Sequence, residues 1–195
     1  MKILLICDTT RYDFSGGKVI RYLTKILKNQ NHEVKMIVCS DKTEDTKWDS
    51  FYTENDVIFI PQRDKRPNNF SNLLFLSKGL TIYKNKLKSF SPNIVHFASY
   101  DSTKPVEFIS EAKKIGAKVI LQPWIMDFYC AQGFGYKNNE KCSLCASGNY
   151  FNAIKHKCIS AKWSLGQIKR MRLQKVSQKA DIFLSSNVEL DQTLI

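Results

Sequence analysis

Residues 2–40, KILLICDTTRYDFSGGKVIRYLTKILKNQNHEVKMIVCS, decide the fold. KILLICD is an unbroken apolar run closed by an acid, the pattern of a strand buried on both faces of a parallel sheet. TTRYDFSGG is a polar loop ending in Gly16-Gly17. KVIRYLTKILKNQ then carries Val19, Ile20, Leu23, Ile26 and Leu27 at helical spacing. The helix stops at residues 29–31, and HEVKMIVCS resumes as a strand with alternate apolar residues. Strand, helix and strand in succession make a right-handed crossover between parallel strands.

The same alternation continues outward. Residues 41–50 are a polar loop, DVIFIP (56–61) a third strand and QRDKRPNN a basic loop. Residues 70–90 fit a helix, with Gly79 weakening its middle. PNIVHF (92–97) is a fourth strand with ASYDS as its exit. Pro105 suits the first turn of a helix that runs to about Ile115, and Gly116 suits its C-terminal cap. AKVILQP (117–123) is a fifth strand. Residues 151–179 contain a Lys/Arg-rich helix, ADIFLSS (180–186) is a sixth strand, and NVELDQTLI begins another helix. The expected architecture is α/β: one Rossmann-like domain over residues 1–195, with a doubly wound parallel sheet. Such sheets bind ligands beyond the carboxyl ends of their strands. The loops at 8–17, 98–103 and 123–150 are therefore expected on one rim.

Composition bounds the function. The 195 residues are 43% hydrophobic and 12% aromatic, which excludes a disordered chain. No apolar run is long enough to span a bilayer. MKILLICD lacks the length and cleavage site of a signal peptide, so a cytoplasmic location is expected, with peripheral membrane association as its extension. The net charge of +12 suits a phosphorylated ligand, an anionic membrane face or nucleic acid, and equally suits mere solubility. The basic loop at 62–66 and the Lys/Arg-rich helix after Lys155 are candidates for touching anionic lipid or a phosphorylated acceptor. The lysines are not clustered beside a reading helix, which disfavours nucleic acid.

Residues 124–158, WIMDFYCAQGFGYKNNEKCSLCASGNYFNAIKHKC, hold four of the six cysteines. Eleven residues separate Cys130 from Cys142, two separate Cys142 from Cys145, and twelve separate Cys145 from Cys158. A C-x-x-C turn aims two thiolates at one ion, and four sulfurs around zinc make a closed, structural site. An iron–sulfur cluster would use the same ligands. Disulfides and unrelated thiols remain alternatives. His156 is either a substitute ligand or a surface histidine. Cys7 and Cys39 read as small buried core residues.

Gly16 and Gly17 precede a helix, where backbone can approach an anion, or they are a plain turn. The loop is not G-x-G-x-x-G, which disfavours a dinucleotide site. His96, at a strand end, is a ligand-binding group or general base, or else a buried histidine with one backbone hydrogen bond. Trp124 offers a flat platform for a sugar or base, or packs on the cysteine knuckle. Asp127 can hold hydroxyls.

These pieces together resemble the N-terminal domain of family-4 glycosyltransferases of the GT-B architecture. The matching stretches are the opening strand, SGGKVIRYLTKILKNQNHEVKMIV, PNIVHF, the segment after the fifth strand, and ADIFLSSNVEL. The cysteine-rich segment resembles an insertion found in a subset of that family. The resemblance implies that Gly16 and Gly17 face the interdomain cleft near donor phosphates and acceptor, and that His96 matches a strand-end histidine. Many relatives carry a histidine just after the fifth strand. Trp124 stands there in this chain, with Asp127 the nearest titratable group. The resemblance also implies a second, C-terminal domain, or a partner subunit, that binds most of the nucleotide-sugar. The expected function is the acceptor-binding half of a nucleotide-sugar-dependent glycosyltransferase, inactive alone, acting on a glycan, lipid-linked or other hydroxyl acceptor. A zinc-stabilised basic module for nucleic acid and a non-catalytic scaffold subunit are the rival readings.

Overall fold

The first strand, β1 (Lys2–Cys7), is buried from its second residue to its last. That follows from its sequence, which has no polar side chain after Lys2 to turn toward water. The structure, a computed structural model, describes residues 1–8, 10, 15–40, 50–60, 71–99, 107–123, 130, 136–138, 140–145, 149, 151–159, 172 and 174–184. The other strands are β2 (Glu33–Val38), β3 (Val57–Phe59), β4 (Ile94–Phe97), β5 (Lys118–Leu121), β6 (Tyr136–Lys137), β7 (Glu140–Lys141) and β8 (Ile182–Phe183). The helices are α1 (Ser15–Asn29), α2 (Phe51–Glu54), α3 (Ser71–Phe90), α4 (Glu107–Lys114) and α5 (Phe151–Lys155).

Among the described residues, six strands form one parallel sheet in the order β3-β2-β1-β4-β5-β8. β1 lies between β2 and β4, with Leu5 opposite Met36 on one side and His96 on the other. Alternation along the strands sends apolar side chains to both faces. Leu4, Ile6, Val95, Phe97, Val119 and Leu121 pack with Tyr83, Leu87 and Phe90 of α3 and Phe108, Ile109 and Ala112 of α4. Ile3, Leu5, Cys7, Met36 and Val38 pack on the other side with Ile20, Leu23 and Leu27 of α1 and Phe51 of α2. The sheet is therefore doubly wound, and its strand order reverses between β1 and β4. Among the described residues no helix is long and apolar enough to cross a membrane.

Polar groups fix the layers. The buried Tyr83 hydroxyl donates to the Phe108 carbonyl at 3.0 Å, with the two rings stacked at 4.1 Å between centroids, which joins α3 to α4. Burial pushes the Tyr83 phenol well above its ordinary value. The Asp181 carboxylate accepts the Val119 N–H at 2.7 Å and pairs with Lys113 at 2.7 Å, which ties the entry to β8 onto β5 and α4. The Lys113 ammonium holds that carboxyl below the usual range.

Three of the described helices, α4, α1 and α5, end in the same hydrogen-bond pattern. Gly116 sits at φ 77°, with its N–H bonded to the Lys113 carbonyl and the Ala117 N–H to Ala112. Asn31 does the same at φ 60°, with its own N–H to Lys28 and the His32 N–H to Leu27. A left-handed residue closing a helix with these two bonds is a Schellman motif, and glycine or asparagine tolerates that backbone best. Gly116 is thus the cap its sequence position suggests.

α3 runs through Gly79 without a break. A Cβ there would stand 2.8 Å from Ile60 Cγ2, so the glycine permits close approach of α3 to the exit of β3. On an exposed helix, Gly→Ala stabilises by about 1 kcal/mol. Gly79→Ala is expected to do the opposite, lowering stability by about 1–3 kcal/mol through overpacking against Ile60. A lower urea midpoint for the variant, with an unchanged slope, is the outcome to measure.

Candidate functional site

The strand exits at the order reversal are zipped together. The Ala98 N–H donates to the Ile6 carbonyl and the Cys39 N–H to the Cys7 carbonyl, both at 2.8 Å. The Asp8 N–H, one step further, donates to the Ser99 hydroxyl at 2.8 Å. The Gln122 N–H donates to the Phe97 carbonyl at 2.9 Å and continues the ladder to β5. These bonds bring the exits of β1, β2, β4 and β5 to one edge. That edge is where ligands bind in sheets of this topology.

α1 starts at this edge. Gly16 is half-buried and Gly17 buried, and no acid stands in the first turn. The first N–H groups of a helix have no intrahelical acceptor and, with the helix dipole, favour an anion. Thr10, just past the β1 exit, is fully buried. Its hydroxyl donates to the Tyr52 hydroxyl at 2.6 Å, and its carbonyl accepts from Arg21 Nε. The Arg21 guanidinium in turn lies 4.6 Å from the centroid of the Phe51 ring. A basic side chain of α1 is thereby spent on positioning the loop.

His96 is 6% exposed, on the face of the sheet that carries Leu5 and Ala98. Burial lowers its pKa, opposed by a hydrogen bond with Gln122. The ring is accordingly neutral near pH 7. Its Nε2 is buried with no hydrogen-bond partner among the described residues. A buried polar nitrogen left unbonded is costly, and such groups occur where a ligand or a proton is handled.

The structure thus brings Gly16, Gly17 and His96 to the same end of the same sheet face. Trp124 and Asp127 lie outside the described residues. Ser99, Thr10, Arg21 and Gln122 were not singled out from the sequence. Their partners are 91, 42, 11 and 26 positions away, and no local pattern reports such bonds.

The cysteine segment forms a small unit of its own. β6 and β7 pair antiparallel around Asn138, at φ 52°. Lys137 Nζ donates to the His156 carbonyl at 3.0 Å and Asn152 Nδ2 to the Leu144 carbonyl at 2.6 Å, which clamps the C-x-x-C turn against α5. α5 ends at Lys157, φ 57°, with the Cys158 N–H bonded to the Ala153 carbonyl at 2.8 Å. Cys145, Ala153, Cys158 and Ile159 share one apolar cluster. Cys142 is half-buried, as is Cys130, which stands between stretches outside the described residues. No disulfide joins any of the six cysteines. Among the described residues no three His, Cys, Asp or Glu side chains converge closely enough to hold a metal ion. Of the four cysteines, Cys145 and Cys158 pack in that one cluster. Cys7 and Cys39 are buried in the core, 1% and 3% exposed.

No protein-family model and no curated protein matches the sequence. Solved structures do match the fold. A UDP-N-acetylglucosamine 2-epimerase superposes on all of this chain with a TM-score of 0.58 at 14% identity. A UGT transferase from Siraitia grosvenorii in complex with UDP does so with a TM-score of 0.51 at 13% identity. A UDP-glucosyltransferase from Polygonum tinctorium, capable of glucosylating indoxyl, matches 96% of this chain with a TM-score of 0.52 at 10% identity. This chain spans 44%, 47% and 47% of those three chains in the same order, less than half of each. The chain has a Rossmann-like α/β fold matching one lobe of the GT-B architecture. At these identities the likeness establishes the fold alone.

The lowered pKa of His96 makes a prediction. The unfolded chain takes up a proton before the folded one as pH falls, so the His96 contribution is fully present above the ordinary value of 6.5. It is lost as pH falls through the depressed folded value. Urea midpoints taken above and below that window are expected to drop in the native protein and to lose this part of the drop in His96→Gln.

Proposed function

We propose that this chain is the acceptor-side lobe of a nucleotide-sugar-dependent glycosyltransferase. A second lobe or partner chain would bind most of the donor. The observation that carries the reading is the clustering of the β1 exit, the α1 N-terminus and His96 at the strand-order reversal. Two of the three structural neighbours are named as transferases, one acting with UDP-glucose chemistry and one holding UDP.

In this reading the free N–H groups around Gly16 and Gly17 receive an anionic part of the substrate. His96 is neutral, and its Nε2 holds or accepts a proton from an acceptor hydroxyl in a site closed to water. Trp124 supplies a stacking platform and Asp127 a second proton acceptor after β5. Stabilisation of the leaving diphosphate falls mainly to the second lobe, so the chain alone turns over little or nothing. The acceptor is a glycan, a lipid-linked sugar or another hydroxyl compound. A second reading, one lobe of a sugar-nucleotide epimerase, is favoured by the full-length superposition on the 2-epimerase.

Backbone amide NMR with UDP-sugars and candidate acceptors tests the site. Shifts are expected around residues 16–17, 96–99 and 122, with no product formed by the chain alone. Shifts confined to another surface, or robust turnover without a partner, count against the proposal. Formation of an epimer rather than a transfer product, once a second lobe is supplied, selects the second reading.

We further propose structural zinc on Cys130, Cys142, Cys145 and Cys158, with an iron–sulfur cluster as the alternative. The support is the C-x-x-C spacing and the packing of Cys145 beside Cys158. A thiolate site of this kind goes with a reducing, cytoplasmic location. Elemental analysis is expected to find stoichiometric zinc that Cys142→Ser and Cys145→Ser both abolish. Metal-free protein of undiminished stability would be the contrary result.

A further inference from the structure

A neutral imidazole carries one proton on two nitrogens, and the nitrogen that holds it decides what the ring can do. With the proton on Nε2, His96 offers the site a donor. With the proton on Nδ1, it offers a bare lone pair. The surroundings of the ring separate the two cases. Leu5 and Ile120 stand opposite His96 on β1 and β5, and Ile94 and Ala98 share its face along β4. None of these side chains can bond a nitrogen. Two polar side chains of the same layer, Cys7 and Thr24, turn to the Ile37 and Ile20 carbonyls at 4.0 and 2.8 Å. Gln122 lies one pleat beyond Ile120 on the face of His96, held in the ladder by its N–H to the Phe97 carbonyl at 2.9 Å. Its side chain hydrogen-bonds the ring. Nε2 has no partner, so that bond falls on Nδ1.

We infer that Gln122 is a positioning residue: its amide oxygen accepts a hydrogen bond from Nδ1–H of His96 and so leaves Nε2 as a bare proton acceptor. Two arguments choose this direction. The opposite one puts an N–H at Nε2, buried and without an acceptor. Unbonded N–H donors are the rarer orphan in folded backbones, and the same desolvation cost falls on a ring N–H. An amide oxygen at Nδ1–H also favours the protonated ring and so opposes the effect of burial, which is the direction Gln122 exerts on His96. A glutamine donating to Nδ1 would favour the neutral ring instead. The consequence is a specificity. A lone pair in a buried site takes a hydroxyl, which brings a proton, and repels an anionic oxygen, which brings none. Anionic parts of a ligand are left to the N–H groups at the start of α1. The identity of that hydroxyl as a sugar acceptor rests on the transferase reading. The tautomer does not, because it belongs to the chain without ligand.

Two-bond proton–nitrogen correlation spectra of the full chain, with nitrogen-15 in its three histidines, read the tautomer without substrate or second lobe. His96→Gln assigns the signals. Well above the titration midpoint of His96, the expected pattern is a protonated Nδ1 and a bare Nε2. Gln122→Leu, which has no acceptor, is expected to lose that single pattern and to lower the midpoint, while amide signals away from the rim stay in place. Gln122→Glu is expected to keep the proton on Nδ1 and to raise the midpoint, because a carboxylate accepts more strongly than an amide. A protonated Nε2 in the native chain overturns the inference. So does an unchanged tautomer and midpoint in Gln122→Leu. Should Gln122→Leu fail to fold, Gln122→Glu decides, and an unshifted or lowered midpoint there overturns it. None of these outcomes involves turnover, so failure of the transferase reading and failure of this inference are told apart.

Discussion

The placement of β1 between β2 and β4 is the constraint on which the rest depends. Every residue of β1 after Lys2 is buried, so its backbone has no water to bond and must find both ladders. Its side chains point both ways, so both faces need a helical layer. Crossovers of one hand cover both faces only if the chain starts in the middle of the sheet and winds outward twice. That requirement fixes the strand-order reversal beside β1. The ladders then run past the last residues of the strands, through Cys39, Ala98 and Gln122, and finish at Asp8 and Ser99. The rim is therefore the top of the same hydrogen-bond ladder that satisfies the core.

Opposite demands meet at that rim. The core needs His96 dry, and its neutral state follows from burial. Dryness leaves Nε2 with a bonding capacity that no described residue uses. Thr10, just past the end of β1, is held by Tyr52 of α2 and by Arg21 of α1, whose guanidinium also lies over Phe51. Among the described residues, the groups at this edge include the backbone N–H groups at Gly16 and Gly17 and one imidazole nitrogen. Backbone N–H groups at a helix start can orient an anionic group, and a neutral imidazole can take up one proton.

The sequence made the sheet legible because burial on both faces leaves unbroken apolar runs, as in KILLIC and IVHF. The Gly116 cap was legible because the left-handed backbone has few tenants. Gly79 was misleading: propensity marks it as a weak point, whereas its purpose is contact with Ile60, nineteen residues earlier in the chain. The sixth strand, expected over 180–186, is Ile182–Phe183 among the described residues and pairs with β5, while 185–186 lie outside them. The β6–β7 hairpin was missed because YKNNEK has no apolar alternation. Its order comes from Lys137 reaching the end of α5. Of the site, Gly16, Gly17 and His96 were legible as local patterns, while Ser99 and Gln122 became visible only once the strands were aligned.

α1 shows how one short segment serves several demands without conflict. Its inner sector, Ile20, Leu23 and Leu27, closes one face of the sheet. Its first turn contributes N–H groups to the rim. The next sector, Arg21 and Lys28, reaches back to Thr10 and Asn55 and steadies the flanking loops. The outer sector, Val19, Tyr22 and Ile26, touches none of these. Sectors of a helix that share no partner are energetically near-independent, because substitutions at separated sites add. The outer sector was thus free to become apolar without cost to the fold or the rim.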